Sequence, residues 1–119
     1  MANQGKVSDG KSKTFTAPVG GVVKGMFYRN SGWNHVAWES VAAGELYEGD
    51  IDNQAEYRIL IGAGVAAADG AMLYIPSAGA ASSDITATAT GNFPALQCMS
   101  AKDANNYVTA RVLNLPIMP

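Results

Sequence analysis

Nine short runs of apolar and β-branched residues, separated by turn residues, constrain the fold of this 119-residue chain more than any other feature. Glycine, asparagine, aspartate, serine or proline stands in nearly every gap between the runs. Short runs bounded by such residues predict β-strands. The predicted strands are residues 12–16, 22–29, 34–41, 46–51, 56–61, 71–75, 85–90, 95–100 and 107–113.

Alternation of side chains along these runs predicts that each strand buries one face. In the fifth run Tyr57, Ile59 and Ile61 share a face, and the last run alternates in the same way. Helix-tolerant composition is confined to residues 65–69 and 101–105, which are shorter than the roughly 12 residues that an isolated helix needs. The length suits one domain. We therefore predict an all-β, single-domain β-barrel or sandwich with short helical turns and an extended N-terminal arm.

The two ends of the chain differ from its middle. Residues 1–11 are polar and lack periodicity, which predicts a flexible or partner-ordered arm before a β domain at residues 12–114. Residues 115–119, Leu-Pro-Ile-Met-Pro, cannot continue a paired strand and present apolar side chains, as a tail does that lies against a neighbour. The residues that we expect to contact a partner or another subunit are Lys6, Lys11, Lys13, Trp33, Leu115, Ile117 and Met118.

Charge is distributed unevenly, although the net charge is only −2. Residues 1–29 contain five basic residues against Asp9 alone, whereas residues 30–101 contain eight acids against Arg58 alone. A basic arm can dock on an acidic neighbour, and ordinary scatter over a solvated surface is the alternative. Five basic residues without interleaved aromatic residues do not predict nucleic-acid binding. The chain has no apolar run of 18 residues and begins with a polar segment, so we expect neither a membrane partner nor a signal peptide.

Few groups in the sequence could support catalysis or bind a metal. His35 and Cys98 are the single histidine and cysteine, so one chain cannot build a zinc site from such ligands, and no serine stands in a Gly-x-Ser-x-Gly elbow. We expect His35 to be a polar residue at the start of a strand and Cys98 to be a small buried hydrophobic side chain. Six acids lie between residues 39 and 56, and such acids could serve a hydrolase or a calcium-binding loop. Their spacing instead favours solvated acids at the rim of the domain. We therefore expect no catalytic site, no metal and no cofactor.

Two tryptophans leave a binding function open. Trp33 and Trp38 are five residues apart and lie on opposite faces of a continuous strand, which predicts one in the core and one at the surface or an interface. An exposed tryptophan can also form a platform for a sugar ring. A small carbohydrate-binding module is therefore the alternative to a protein whose surface binds other proteins.

Six short motifs occur in an order and spacing that resemble the phage capsid cement, or decoration, protein family, which was long filed as a domain of unknown function. They are Thr-Phe-Thr-Ala-Pro-Val-Gly-Gly-Val-Val-Lys-Gly at 14–25, Asn-His-Val-Ala-Trp-Glu-Ser-Val-Ala-Ala-Gly-Glu at 34–45, Ala-Glu-Tyr-Arg-Ile-Leu at 55–60, Val-Ala-Ala-Ala-Asp-Gly-Ala-Met-Leu-Tyr-Ile at 65–75, Ile-Thr-Ala-Thr-Ala-Thr-Gly-Asn at 85–92 and Tyr-Val-Thr-Ala-Arg-Val-Leu at 107–113. The resemblance covers about residues 3–114.

This resemblance implies a small β domain on the outside of an assembled tailed-phage head, commonly a homotrimer at three-fold positions that joins neighbouring major capsid proteins. It also implies a structural virion protein, made in the host cytoplasm, with no enzymatic activity and no cofactor. A cement protein binds the assembled shell rather than separate subunits, so mass action stabilises the shell and repetition multiplies a modest contact.

Overall fold

The computed structural model describes residues 11–114, and eight strands follow one another within them. The strands are β1 (Ser12–Thr16), β2 (Phe27–Asn30), β3 (Trp33–Ala37), β4 (Leu46–Asp50), β5 (Glu56–Leu60), β6 (Met72–Pro76), β7 (Asn92–Cys98) and β8 (Tyr107–Val112). A 3-10 turn, Ser82–Asp84, lies between β6 and β7. The predicted all-β fold is confirmed.

The strands form two antiparallel sheets of four strands each. Sheet 1 has the order β1-β4-β3-β2 and sheet 2 has the order β5-β8-β7-β6, so each half of the chain builds one sheet. One of the two sheets curls into a half-barrel. Between β6 and β7 the register shifts at Leu73 and Tyr74, as a β-bulge does. The architecture is therefore a two-layered sandwich in which one sheet is strongly curved.

The second predicted strand, residues 22–29, is divided in the structure. Val22 makes only an isolated bridge with Val41, and β2 begins at Phe27. Between them the Met26 amide donates to the Val23 carbonyl at 3.1 Å, which closes a turn. Lys24 and Gly25 form the middle of this turn, and Gly25 has a φ of +82°, which marks a break that the apolar residues on both sides obscure in the sequence.

The connection from β6 to β7 covers one side of the sandwich by bridging Tyr28 on β2 and Tyr74 on β6. The predicted strand at residues 85–90 is therefore wrong, because only Thr86 pairs there. The Thr86 hydroxyl accepts a hydrogen bond from the Thr88 amide, and this local bond competes with continued strand pairing.

Neither segment with helix-tolerant composition forms a helix. Residues 65–69 and 101–105 are turns and irregular chain. The Lys102 ammonium donates to three backbone carbonyls of residues 62–65 at 2.6 to 3.3 Å. These hydrogen bonds hold the two loops against each other.

The main core lies on the inward face of sheet 2, whose four strands supply most of its residues, and Phe27 of β2 and Val36 of β3 pack against it from sheet 1. As alternation predicts, Ile59 and Ile61 are buried, and so is Cys98. A second, smaller cluster packs against sheet 1 and consists of Phe15, Ala17, Val22, Ala37 and Tyr47. Because β3 runs between the two clusters, its residues from Asn34 to Ala37 are buried on both faces.

Two asparagines join the sheets. The Asn34 amide donates to the Asn114 side-chain oxygen at 2.8 Å, and the Asn114 side chain donates back to the Asn34 carbonyl at 3.0 Å and to the Ile51 carbonyl at 3.2 Å. The Asn34 side chain donates to the Leu113 carbonyl at 2.6 Å. Both residues are buried, and these bonds satisfy polar groups that burial would otherwise penalise.

Candidate functional site

Large apolar side chains are exposed at one end of sheet 1, which we call the apolar tip. Val19 is 98% exposed, Leu46 is 65% exposed and Val23 is 57% exposed. Val19 and Val23 lie in the connection that follows β1, and Leu46 is the first residue of β4. Isolated exposed hydrophobic residues are ordinary, whereas several at one end of a small domain are typical of an interaction surface.

The tip is held in shape by bonds between the connection that follows β1 and the loop that leads into β4. Val22 and Val41 exchange both backbone hydrogen bonds, at 3.0 and 3.1 Å, and the Ala17 amide donates to the Glu45 carbonyl at 2.8 Å. Gly21 has a φ of +73° and lies against the backbone of Val41, so only glycine fits this close approach. The tip therefore presents apolar side chains on a fixed backbone, and a contact made there orders few additional groups.

A groove opens between residues of β1 and β4 on one side and of β5 on the other. We call it the mouth; it has a volume of about 640 Å³ and is lined by Lys11, Ser12, Trp38, Asp50, Asp52, Ala55 and Tyr57. The Tyr57 hydroxyl donates to the Asp50 carboxylate at 2.8 Å across the gap between the sheets. Burial and this hydrogen bond raise the pKa of Tyr57 above its ordinary value, so the phenol stays protonated and keeps donating.

Both ends of the described chain meet beside the mouth at Ile51. The Ile51 amide donates to the Lys11 carbonyl at 3.0 Å, and the Ile51 carbonyl accepts from the Asn114 side chain. The predicted arm and the predicted tail therefore join the domain at neighbouring points, although more than a hundred residues separate them in the sequence.

The predicted contact residues fall into two groups. Lys11 and Lys13 are exposed, and the Lys13 ammonium lies 6.0 Å from the ring centre of the half-buried Trp33. The remaining four, Lys6, Leu115, Ile117 and Met118, lie outside the described residues. The structure thus brings Lys13 and Trp33 together.

The tryptophans do not divide between core and surface as alternation predicts. Trp33 is half-buried at the border of the smaller cluster, and Trp38 is 48% exposed in the mouth. Strand β3 ends at Ala37, so the alternation that would relate the two side chains stops before Trp38. Any platform for a sugar ring would therefore use Trp38 rather than Trp33.

His35 lies in the middle of β3 and is fully buried, so the prediction of a polar residue at a strand start is wrong. Its ring stacks on Phe15 with 3.9 Å between centroids, against Gly49, where a Cβ would lie 2.5 Å from the ring. Because the Trp33 carbonyl can only accept, Nδ1 carries the proton and Nε2 accepts from the Tyr47 hydroxyl at 2.8 Å. Burial lowers the pKa of His35 to about 4. This histidine is part of a packed aromatic cluster.

The other candidates for chemistry also have structural surroundings. Burial and, to a lesser degree, Asp69 raise the pKa of the Cys98 thiol, which keeps it protonated and unreactive. Several acids between residues 39 and 56 make local bonds, such as those of Glu45 to the Ala42 amide and of Asp52 to the Gln54 amide. Within residues 11–114 no three His, Cys, Asp or Glu side chains are placed to hold a metal ion. No helix suited to crossing a membrane occurs in that part of the chain.

The tip and the mouth were not predicted from the sequence. A signal for the tip is present in Pro18-Val19-Gly20-Gly21, where a valine stands among turn residues and has no strand to bury it. For the mouth the sequence signal is weaker. Asp50 and Tyr57 stand in consecutive strands, but the sequence does not show that these strands belong to different sheets.

Comparison with known proteins identifies the family of this chain. The phage cement protein family matches residues 7–113, which is nearly the whole sequence and agrees with the resemblance carried by the six motifs. No curated protein and no solved structure matches the chain significantly. The family is a structural one, which gives the chain a capsid cement role, association with phage capsid proteins and a location in the virion capsid. The chain belongs to the phage cement protein family.

Proposed function

We propose that the protein binds the outer surface of an assembled phage head and stabilises contacts between neighbouring major capsid proteins, with the apolar tip as a contact surface. The observation that carries this proposal is the exposure of Val19, Val23 and Leu46 on a backbone that is already fixed. Transferring a nearly free valine side chain into a protein contact contributes about 1.5 kcal/mol, or roughly tenfold in affinity. Because many copies bind one head, a contact of this size has a large total effect.

The basic arm and the proline-bounded tail add to this contact in our proposal. Lys6, Lys11 and Lys13 pair with acidic groups of the shell, while Leu115, Ile117 and Met118 cover apolar surface of a neighbour. Support comes from Lys11 and Asn114, the first and last described residues, which both contact Ile51, so the two segments start from neighbouring points. We further propose that the bound form is a homotrimer without enzymatic activity, made in the host cytoplasm and carried on the outside of the head.

Binding to purified heads that lack the protein tests the role of the tip. Val19→Ser should reduce the affinity about tenfold, because the hydroxyl removes most of the transfer free energy of the side chain. Met72→Ser is the matched control, since Met72 is also an exposed apolar residue but lies on sheet 2. Equal binding of wild type and Val19→Ser would remove the tip from the contact. The same assay with residues 1–10 deleted tests the arm, which should prove necessary for tight attachment.

A further inference from the structure

We propose that the mouth binds an extended, basic segment of the capsid protein, which pairs its backbone with β5 and directs a lysine or arginine side chain to Asp50 and Asp52. This inference rests on the proposed cement function, and it assigns a second contact surface distinct from the apolar tip. The mouth lies between the two sheets, whereas the tip lies at one end of sheet 1.

The two sides of the sandwich differ in whether another segment of the chain bridges their edge strands. On one side, the connection from β6 to β7 bridges both β2 and β6. On the other side and within residues 11–114, β1 pairs only with β4 and β5 only with β8, which leaves one edge of each without a strand partner. The mouth lies between these two edges, with Ser12 on β1 and Tyr57 on β5 among its lining residues. Unpaired strand edges bind extended segments through main-chain hydrogen bonds.

The pairing pattern identifies which backbone groups of β5 face the open edge. The Ile61 amide donates to the Asn106 carbonyl at 2.9 Å, one position beyond the pair formed by Leu60 and Tyr107. In an antiparallel ladder, hydrogen-bonded and non-bonded pairs alternate. The N–H and C=O groups of Glu56 and Arg58, on either side of Tyr57, therefore point away from β8, toward the edge that a partner strand would join.

The charge of the mouth selects the chemistry of the segment. Asp50 and Asp52 provide two carboxylates against the single ammonium of Lys11, so the groove carries a net negative charge. The half-exposed indole of Trp38 lies in the same groove and offers a face on which a guanidinium or ammonium group is attracted. A sugar could also use the indole and the carboxylates, but it would leave the open backbone edge of β5 without a role.

Binding to heads that lack the protein tests this inference with the tip left intact. The double variant Asp50→Asn, Asp52→Asn keeps the shape of both side chains, including the oxygen that accepts from Tyr57, and removes both charges. We expect about tenfold weaker binding and a smaller loss of binding when salt is raised, because charge pairs at an interface are screened by ions. Asp69→Asn is the control, since Asp69 is exposed in a loop outside the mouth and should change neither quantity.

Each result has a separate meaning. Binding and salt dependence of the double variant equal to those of Asp69→Asn would overturn the inference, and the cement function would stand because the wild type still attaches. Failure of the wild type to attach would overturn the proposed function together with the inference. If the double variant instead dissociates an oligomer of the free protein, the mouth holds a second copy and the inference is wrong. It is also wrong if a glycan array gives a specific signal that Trp38→Ala abolishes.

Discussion

Acidification should destabilise this protein through one buried side chain, His35. The pKa of His35 is about 4 in the folded protein, because burial penalises the imidazolium, against an ordinary value of 6.5 in the unfolded chain. Above pH 6.5 the ring is neutral in both states and contributes no pH dependence. As the pH falls from 6.5 to 4, His35 binds a proton in the unfolded chain but not in the folded protein, so the free energy of unfolding decreases. At about 1.4 kcal/mol per pKa unit, the loss amounts to about 3 kcal/mol and is complete below pH 4.

Urea unfolding between pH 7 and pH 4.5, followed by tryptophan fluorescence, measures this loss. His35→Phe is the comparison, because it keeps an aromatic ring against Phe15 and carries no titrating group. The variant should be less stable at pH 7, since the Tyr47 hydroxyl and the Trp33 carbonyl lose their partner, but its stability should change less with pH. Carboxylates titrate in both proteins, so the difference between the two curves isolates the histidine. Parallel curves would refute the reasoning, as would an NMR titration of this single histidine with a midpoint near 6.5.

Two further predictions concern packing and loop structure. Gly49→Ala should lower the free energy of unfolding by about 1 to 3 kcal/mol, because the new Cβ would lie 2.5 Å from the His35 ring in a closely packed cluster; urea unfolding at pH 7 checks this, and an unchanged midpoint would contradict it. Lys102→Met keeps most of the side-chain length but removes three hydrogen bonds to the carbonyls of residues 62–65, so hydrogen exchange at the Val65 amide should become faster while exchange at the buried Ile59 amide stays slow. Equal protection of Val65 in variant and wild type would mean that the ammonium does not hold the loop.

The strands and the core were largely predictable from the sequence because the inward residues alternate with polar ones. Ile59 and Val108 lie opposite each other in the β5–β8 ladder, and both are buried. The prediction failed where local bonds compete with strand pairing, as at Thr86, whose hydroxyl accepts from a nearby amide. Composition alone cannot separate such a segment from a strand, because threonine has a high β propensity in either setting.

The site was less predictable, because it depends on contacts between distant parts of the chain. Val19 is exposed since bonds between the loops around Ala17 and Glu45 hold its loop at the end of sheet 1, and no local pattern encodes those bonds. His35 is buried because Gly49, on a neighbouring strand, leaves room for its ring. The contacts expected of Lys6 and of the tail remain predictions.

The attachment of Lys11 and Asn114 to the same residue, Ile51, has a consequence for engineering. Domains whose chain ends lie close together tolerate circular permutation and insertion into other proteins. A short linker could therefore join residue 114 to residue 11 beside Ile51, with new ends opened at an exposed loop such as the one at Ala78. For the same reason, cargo fused directly to residue 11 or to residue 114 would be displayed from one position on the domain, so either fusion would give a similar spacing of cargo on a particle.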